Sequence, residues 1–509
     1  MFVRQKKNKS GKISVQIIAK SHGEYRVMKT VGCSSDTDEI HKLVAKAKQL
    51  IPDLSGQLPL DWETERDKSI DEYFDTFDNT RINVVGPELI LGTLFDRIGF
   101  NIFPNDLFRH LVIARLVYPG SKLKTIDYLQ RYKNIVISPS GIYRFLDELQ
   151  STYKDKVETI SFAHTQKILG EDITVVFYDM TTLYFEIEDE DDLRKIGFSK
   201  DGKFQQPQIM IGLLVGENGY PIGYDIFKGN TCESHTLLSV LQTICEKHGV
   251  PKPIVVADAG LLSKDNVTKL TDRSYSFIIG ARIKNESTDI KKKILQKAKH
   301  IFDGGGFKLK KPNDSFLVIT YSDKRARKDK YNREKGLKKL VVQIKTGKLS
   351  KQHINNRGYN KFLKMNGQIE VVIDEEKIVT DTEWDGLKGY ITNSNLPIKT
   401  IVEKYTQLWQ VEKAFRISKT DLRIRPIFHQ LEKRIEAHIC IAFTAYTVFK
   451  ELERQLEIHK IGISASRAID LLQNMYQIRY TLPDSRKQKT KLLKMDKNQE
   501  ELYKMVLKK

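Results

Sequence analysis

The sequence has few cysteines, and none of them is spaced for a shared structural task. Its four cysteines are Cys33, Cys232, Cys245 and Cys440. No two of them have C-x-x-C spacing, which excludes the common zinc-binding patterns and a disulfide framework. We therefore expect reduced thiols in an intracellular protein.

Long apolar runs are also missing. The longest, Ile209–Val215 and Ile439–Phe449, are too short or too interrupted by threonine to span a bilayer. The N-terminus is basic from Arg4 to Lys12, with no apolar run behind it, so it does not resemble a signal peptide. We expect no membrane partner and a cytoplasmic, nucleoid-associated location.

Acidic residues are in deficit. There are 65 Asp and Glu against 85 Lys and Arg, which gives a net charge of +20 and a pI near 9.4. Such a balance favours a polyanionic partner, because each cation placed on a phosphate releases a condensed counterion. Double-stranded DNA is the expected partner. A basic protein without a nucleic-acid partner is the alternative that composition leaves open.

Changes in composition and in the spacing of apolar residues divide the chain into six segments. We expect a basic β-meander, a helical DNA-binding region, the first part of a catalytic core, a β-rich insertion, the second part of the core with a glutamate-bearing helix, and a basic tail. Their bounds are 1–35, 36–165, 166–282, 283–400, 401–480 and 481–509.

The segment from 166 to 282 indicates the fold class. Three meandering strands are followed by helix, strand, helix and strand, which is the order of a ribonuclease-H-like α/β fold with a mixed sheet. The predicted strands are Ile173–Phe185, Ile209–Val215, Tyr220–Phe227, Pro253–Ala257 and Tyr275–Ala281. Strands predicted in the insertion are Phe316–Thr320, Lys339–Ile344, Ile369–Ile373 and Leu387–Thr392.

Two features of the N-terminal segments have open interpretations. The lysines and arginines of the β-meander suit either a solvated face or a contact with the DNA backbone. The stretch Ser138–Asp147 predicts a short helix capped by Ser140, which suits either a helix-turn-helix reading head or an ordinary packing hairpin.

Two aspartates belong to strands that are otherwise apolar, one inside its strand and one at the end. Four apolar or aromatic residues lead into Asp179, and an apolar strand leads into Asp258. Carboxylates in such places are costly unless a cation neutralises them. The two strands are neighbours in the predicted fold, and Mg²⁺ or Mn²⁺ prefers carboxylate oxygens. Two such ions about 3.5–4 Å apart could support phosphoryl transfer. That chemistry requires a further acid.

The third acid is predicted on a helix from Ile401 to Lys419. Tyr405, Glu412 and Lys419 are seven residues apart, so they drift only about 20° per step and share one face. Arg416 lies one turn after Glu412 on that face. The stripe suits a site that holds metal and phosphate together; the alternative is an amphipathic helix with an extended lysine.

The motifs resemble the insertion-sequence-four-type DDE transposases. Tyr405, Glu412 and Lys419 match the Y-x2-R-x3-E-x6-K signature of that family, and similar blocks surround the two aspartates. These blocks are Asp179–Glu186, Gly197–Gly202, Pro221–Gly223, Phe227–Thr231 with Glu233, and Val256–Gly260. The resemblance implies a ribonuclease-H-like core interrupted by an insertion, with Asp179, Asp258 and Glu412 as catalytic and metal-binding residues.

The signature departs from the family at one position, where Leu408 replaces the arginine that would bind a terminal phosphate. We hypothesise that Arg416 partly substitutes; the other possibility is a weakened or inactive copy. The resemblance implies DNA contacts for Tyr405 and Lys419, although packing and a solvated lysine are the alternative.

Three further residues have open roles. Trp409 suits base stacking or a core position equally. His438 is expected to be a core histidine with satisfied hydrogen bonds. For Glu233 we expect a helix-capping role, with a place near the metal as the alternative.

The resemblance implies a cut-and-paste transposase that binds terminal inverted repeats, cleaves DNA with divalent metal and joins the freed end to a target. It implies a homodimer or larger synaptic complex. The alternatives are a ribonuclease-H-like nuclease without strand transfer and an inactive DNA-binding derivative.

Replacing Arg416 with alanine tests its hypothesised role beside Leu408. A lost hydrogen bond to a charged group costs about 1.5–3 kcal/mol, so strand transfer of a pre-cut end should fall about 10-fold or more. The measurement is the initial rate of joined product. An unchanged rate would show that Arg416 does not substitute for the missing arginine.

Overall fold

The computed structural model describes the chain except for residues 22, 56–64, 76–80, 171–172, 200–201, 250, 262, 313, 350, 356–357, 367–369, 483–484 and 508–509. Two compact units are present. The smaller contains Met1–Arg81 and Tyr480–Gln488, and the larger contains Ile82–Arg479 and Lys489–Lys509. In the described part of the chain, no helix is long and apolar enough to cross a membrane.

The strands, in chain order, are β1 (Phe2–Lys7), β2 (Ile13–Ser21), β3 (Glu24–Ser34), β4 (Ile82–Val84), β5 (Val175–Tyr184), β6 (Gln208–Val215), β7 (Pro221–Lys228), β8 (Ile254–Ala257), β9 (Phe277–Ala281), β10 (Gly306–Lys310), β11 (Phe316–Tyr321), β12 (Leu363–Asn366), β13 (Glu370–Ile373), β14 (Leu387–Thr392), β15 (Tyr476–Thr481) and β16 (Gln488–Leu492).

The helices are α1 (Thr37–Ser55), α2 (Glu65–Asp75), α3 (Thr93–Ile98), α4 (Asp106–Val117), α5 (Lys122–Lys133), α6 (Pro139–Glu148), α7 (Lys154–Leu169), α8 (Leu237–His248), α9 (Lys264–Asp272), α10 (Thr288–Ala298), α11 (Asp323–Lys345), α12 (Glu375–Thr382), α13 (Ile398–Thr406), α14 (Trp409–Arg416), α15 (Glu432–Ile458), α16 (Ala465–Leu472) and α17 (Lys497–Leu507).

The smaller unit contains the predicted β-meander. Strands β1, β2 and β3 form an antiparallel sheet in chain order. One face of β2 buries Val15 and Ile17, and α1 covers them with Ile40 and Ala47. The meander is therefore stabilised by a helix packed on one side.

An eight-stranded mixed sheet organises the larger unit, as the ribonuclease-H-like fold class predicts. The strand order is β10-β11-β14-β9-β8-β5-β6-β7, and the β5–β8 and β8–β9 pairs are parallel. Strands β10, β11 and β14 come from the predicted insertion. Strand β14 pairs with β9, β11 with β14 and β10 with β11, so the insertion extends the central sheet, while β12 and β13 form a separate hairpin.

Alternation along the strands gives the sheet two apolar faces. In β5, Val175 and Phe177 face one core, whereas Val176 and Tyr178 face the other. The first core is covered mainly by α4, α14 and α15, and the second by α8 with parts of α9 and α10. Helix α15 has 27 residues, about 40 Å in length, and is buried over most of its middle.

One predicted strand of the insertion is wrong. Lys339–Ile344 lies in the 23-residue helix α11. Leu337, Leu340 and Ile344 have helical spacing and pack together with Phe362. The six residues from 339 to 344 are too few to reveal the helical spacing of the apolar residues, which extends beyond them. The insertion is thus mixed α/β in its described residues.

The predicted helix at 138–147 is present but begins earlier than expected. Helix α6 has Ser138, not Ser140, as its N-cap, and the Ser138 hydroxyl accepts a hydrogen bond from the Gly141 amide. Asp147 binds Arg434 of α15 through two contacts of 2.8 and 2.9 Å. The helix therefore has a packing role in the core.

A buried glutamate on α15 provides a test of how the helical layer is stabilised. Burial raises the pKa of Glu451, but hydrogen bonds from His164, Arg454 and Gln455 outweigh burial and lower the pKa from 4.5 to about 2. A lowered folded-state pKa contributes stability above the unfolded pKa, and that contribution is lost as pH falls toward 2.

Glu451→Gln should therefore lower the free energy of unfolding by about 2–3 kcal/mol at pH 7. The difference from wild type should shrink as pH falls from 4.5 toward 2. Urea unfolding at several pH values measures this, and Glu457→Gln, at an exposed position of the same helix, is the control. A difference that does not change with pH would contradict the assignment.

Candidate functional site

The parallel pairing of β5 and β8 brings the two predicted aspartates together. Their last paired residues are Tyr178 and Ala257, so Asp179 and Asp258 follow at the same level on adjacent strands. Adjacent strands lie about 4.8 Å apart. Alternation directs both residues to the side covered by α13 and α14, since Phe177 and Val256 face that core. Asp179 is half-buried and Asp258 is exposed.

Local backbone contacts orient both carboxylates. Asp179 Oδ1 accepts a hydrogen bond from the Met180 amide at 2.7 Å, and Asp258 Oδ1 accepts one from the Ala259 amide at 2.5 Å. Each contact fixes the side chain relative to its own strand. The site thus begins as two oriented acids where the parallel pairing of β5 with β8 ends.

Tyr405 fits into a space that Gly280 leaves open. Gly280 lies on β9, two residues after Ile278, which faces the same core as Tyr405. A Cβ atom placed on Gly280 would collide with the Tyr405 hydroxyl. Burial, followed by the charge and hydrogen bonding of the adjacent Asp258 carboxylate, raises the pKa of the Tyr405 phenol. Only 8% of Tyr405 is exposed. Its hydroxyl therefore lies against the second aspartate.

Lys388 is a site residue that the sequence did not reveal. It lies on β14, and its Nζ is 4.3 Å from the centroid of the Tyr405 ring. Burial and the nearby Arg325 lower the pKa of Lys388, while Asp258 acts in the opposite direction. Only the pairing of β14 with β9 brings this lysine to the site, and no local motif marks it.

A cavity of about 840 Å³ opens beside these residues. Asp258, Gly280 and Tyr405 form one wall, and the other walls come from residues 281–389. The cationic side chains that line it are Arg282, Lys284, Arg325, Arg333, Lys361 and Lys388. Asp329, Asp381 and Asp385 also line it, and Arg333 is bound to Asp385. The insertion thus contributes a charged wall to the site.

The helix predicted to carry the third acid is interrupted, which corrects the single stripe expected from the heptad spacing. Helix α13 ends at Thr406, and α14 begins at Trp409. Between them the backbone tightens to three-residue hydrogen bonds, such as Leu408 N to Tyr405 O. Tyr405 and Glu412 therefore lie on different helices. The charge of Glu412 nevertheless contributes to the raised pKa of Tyr405.

The remaining residues of the predicted stripe lie in varied surroundings. Arg416 is exposed at the end of α14, and Lys419 lies in the following π-helical turn, Ile417–Asp421. Trp409 is 49% exposed, so it is not a core tryptophan. Leu408 is buried and packs with the main core.

Glu233 lies closer to Asp258 than its expected capping role suggested. Helix α8 begins at Leu237 with Thr236 as its N-cap, so Glu233 does not complete a capping box for it. A Cβ atom on Gly260 would be 3.5 Å from Glu233 Oε2 and 3.8 Å from Asp258 Oδ2. The two carboxylates thus flank Gly260.

The donor atoms suit a hard divalent cation. Asp179 and Asp258 supply carboxylate oxygens, which Mg²⁺ and Mn²⁺ prefer, while Glu233 and Glu412 lie nearby. Among the described residues, no three acidic, histidine or cysteine side chains are close enough together to form a ligand set. The three predicted ligands therefore do not form a ligand set among the described residues, although the charges of Asp258 and Glu412 both raise the pKa of Tyr405.

Comparison with known proteins gives one family match. The model of the family described as Transposase DDE domain matches residues 170–448. No curated protein sequence matches the chain. Among solved structures, the chain is similar to the piggyBac transposase in its synaptic complex with hairpin DNA, determined by cryo-EM. The identity is 10%, the match covers 76% of each chain, and the TM-score is 0.38.

The contact between Gly280 and Tyr405 predicts a specific coupling between the two positions. Gly280→Ala should lower the free energy of unfolding by about 1–3 kcal/mol, because the new methyl group displaces the tyrosine hydroxyl. In a Tyr405→Phe background, which lacks the hydroxyl, the same change should cost less. A double-mutant cycle by urea unfolding measures the coupling. Equal costs in both backgrounds would show that the hydroxyl does not occupy this space.

Proposed function

Because the chain belongs to the transposase DDE domain family, we propose that it is the transposase of an insertion sequence. It binds terminal inverted repeats, cleaves DNA at the element ends and joins them to a target. The observation that carries this proposal is the side-by-side position of Asp179 and Asp258, which directly follow the last paired residues of the parallel strands β5 and β8. The net charge of +20 supports DNA as the partner.

Asp179, Asp258 and Glu412 are the proposed catalytic and metal-binding residues. Divalent cations, Mg²⁺ or Mn²⁺, supply Lewis-acid stabilisation of charge on the phosphate oxygens when bound there. Asp179 and Asp258 would hold them, since both carboxylates are fixed by backbone amides. Glu412 would complete the set from α14, which packs against the same face of the sheet.

The proposed reaction has two phosphoryl transfers. In the first, water attacks a phosphorus at the element end, a P–O bond breaks, and a 3′-hydroxyl is released. In the second, that 3′-oxygen attacks a target phosphorus, and the target's 3′-oxygen leaves. Rate acceleration in such reactions comes mainly from positioning and electrostatics.

Neighbouring residues have proposed supporting roles. Tyr405 positions Asp258, because its hydroxyl lies against that carboxylate. Lys388, which contacts the Tyr405 ring, adds a positive charge close enough to interact with Asp258. Tyr405, Arg416, Lys419 and Trp409 are the proposed DNA contacts. The exposure of Trp409 leaves its ring available for stacking on a base.

The proposed assembly is a homodimer or larger complex on DNA, because two element ends must be held for joining. An inactive DNA-binding derivative is the second candidate. It is favoured by Leu408, which is buried where the resembling family has a phosphate-binding arginine.

Substitution of the three acids tests the proposal. Asp179→Ala, Asp258→Ala and Glu412→Ala should each reduce Mg²⁺-dependent nicking of an element-end duplex by about 10²–10³-fold or more, because each removes charge that stabilises the transition state. Binding of the same duplex should persist. Gel assays of nicking and fluorescence anisotropy measure the two properties.

Asp189→Asn, in an exposed loop, is the control and should retain full activity. Full activity in any one of the alanine variants would refute the triad. Nicking without joining of a pre-cut end would identify a nuclease, and DNA binding without nicking in the wild type would identify the inactive derivative.

A further inference from the structure

A second cavity is lined by several cationic side chains. The cavity has a volume of about 420 Å³ and lies among the end of α4, the start of α5, the segment Arg423–His429 and α15. Its ionisable side chains are Arg115, Lys122, Lys124, Tyr143, Arg423, Arg425, His429 and His438. No aspartate or glutamate is among its lining residues.

Lys122 is the most unusual member of this group. Only 6% of the residue is exposed. Among the described residues, no hydrogen bond or ion pair is found for its ammonium group. Burial lowers the pKa of Lys122 well below its usual value, and the nearby Arg115 lowers it further. Buried charges in proteins are normally paired, because leaving water costs several kcal/mol per ion.

Arg115 contributes a second buried cation. It is 4% exposed, and its guanidinium donates only long hydrogen bonds, to the Leu422 and Arg423 carbonyls at 3.4 and 3.3 Å. Burial lowers the pKa of Arg115 to about 10. A carbonyl carries no full negative charge, so both cations are left without a counterion in the described part of the protein.

Two histidines face the same space. His429 and His438 have ring centroids 5.5 Å apart. Burial, with the charges of Lys122 and Arg115, lowers the pKa of His429 to about 3, and the same influences lower that of His438. His438 Nε2 donates to the Ile424 carbonyl at 2.9 Å, but Nδ1 has no partner in the described chain. His438 is therefore a core histidine, as expected, but only one of its two ring nitrogens has a hydrogen-bond partner among the described residues.

We propose that this cavity binds a backbone phosphate of the DNA on which the protein acts. A phosphodiester would supply the missing negative charge and accept hydrogen bonds from the lysine and the guanidinium groups. The α5 N-terminus adds favourable partial charge, because Ser121 and Lys122 begin that helix at the cavity wall. The inference rests on the proposed function for the identity of the phosphate's source.

The position of the cavity supports DNA as that source. Phe185 pairs with Ile427, and the Arg425 guanidinium lies 5.8 Å from the centroid of Tyr184, the last residue of β5. Asp179 is five residues before Tyr184, a spacing of about 17 Å along the strand. This spacing corresponds to about five base pairs at 3.4 Å each, so one duplex could contact both Arg425 and the Asp179 end of the site.

Lys122→Met, which keeps the length of the side chain without its charge, tests the proposal with inorganic phosphate as the probe. The Tm of the wild type should rise saturably with sodium phosphate relative to sodium chloride at matched ionic strength. Lys122→Met should lose this rise, and its Tm without phosphate should be at least that of wild type, because an uncompensated buried charge is removed. The control Arg131→Met, at an exposed position of α5, should respond like wild type.

DNA binding distinguishes the source of the phosphate. Lys122→Met should reduce the slope of log K against log salt for an element-end duplex by about 1, whereas Arg131→Met should not. Arg423→Gln, at an exposed position of the cavity wall, should weaken the apparent affinity for phosphate in the Tm measurement several-fold. This variant provides the test if Lys122→Met does not fold.

Two results would overturn the proposal. Wild type without a phosphate-specific rise in Tm would show that the cations hold no anion. A rise that depends on Lys122 together with an unchanged DNA salt slope would assign the cavity to a free phosphate or nucleotide. Failure of the proposed function is distinguishable, because both measurements require no cleavage and should be normal in Asp179→Ala.

Discussion

The parallel register between β5 and β8 is the constraint on which the candidate site depends. It sets Asp179 and Asp258 at one level on adjacent strands and on one face of the sheet. A shift of one residue in either strand would turn its aspartate to the opposite face, where α8 packs. The apolar residues that alternate along β5 pack into two separate cores. Such a shift would therefore also move each set of apolar side chains into the opposite core.

The insertion is joined to this arrangement by its strands. Because β14 pairs with β9, Tyr390 lies opposite Gly280, the residue beneath the Tyr405 hydroxyl. Lys388, two residues earlier, reaches the ring of Tyr405 from the same strand. The position of Lys388 beside Asp258 is therefore set by main-chain pairing within the sheet.

The sequence allowed prediction of those features that depend on local pattern. The core strands were located to within about two residues, and Asp179 and Asp258 were expected on neighbouring strands. Apolar alternation and the turn signals between strands carry that information. The described cysteines form no disulfide, in agreement with their spacing.

Features that depend on distant partners were missed. No glycine or proline marks the break at Leu408, so a continuous helix was the reasonable prediction. Lys388 and the Lys122 cluster have no motif, because their surroundings come from elements far apart in sequence. The prediction of a strand at Lys339–Ile344 was wrong for another reason. Six residues are too few to distinguish a strand from one side of a long helix.

The order of elements along the chain has a consequence for synthesis on the ribosome. Strand β9 acquires its second neighbour only when β14 has been made, and Glu412 follows later still. Until then, the edge of β9 lacks its pairing with β14, and the apolar faces of β5 and β8 lack the helix α14 that packs against them. A nascent chain would therefore carry both aspartates for many seconds, at 5–20 residues per second, before α14, which carries Glu412, could pack against the sheet.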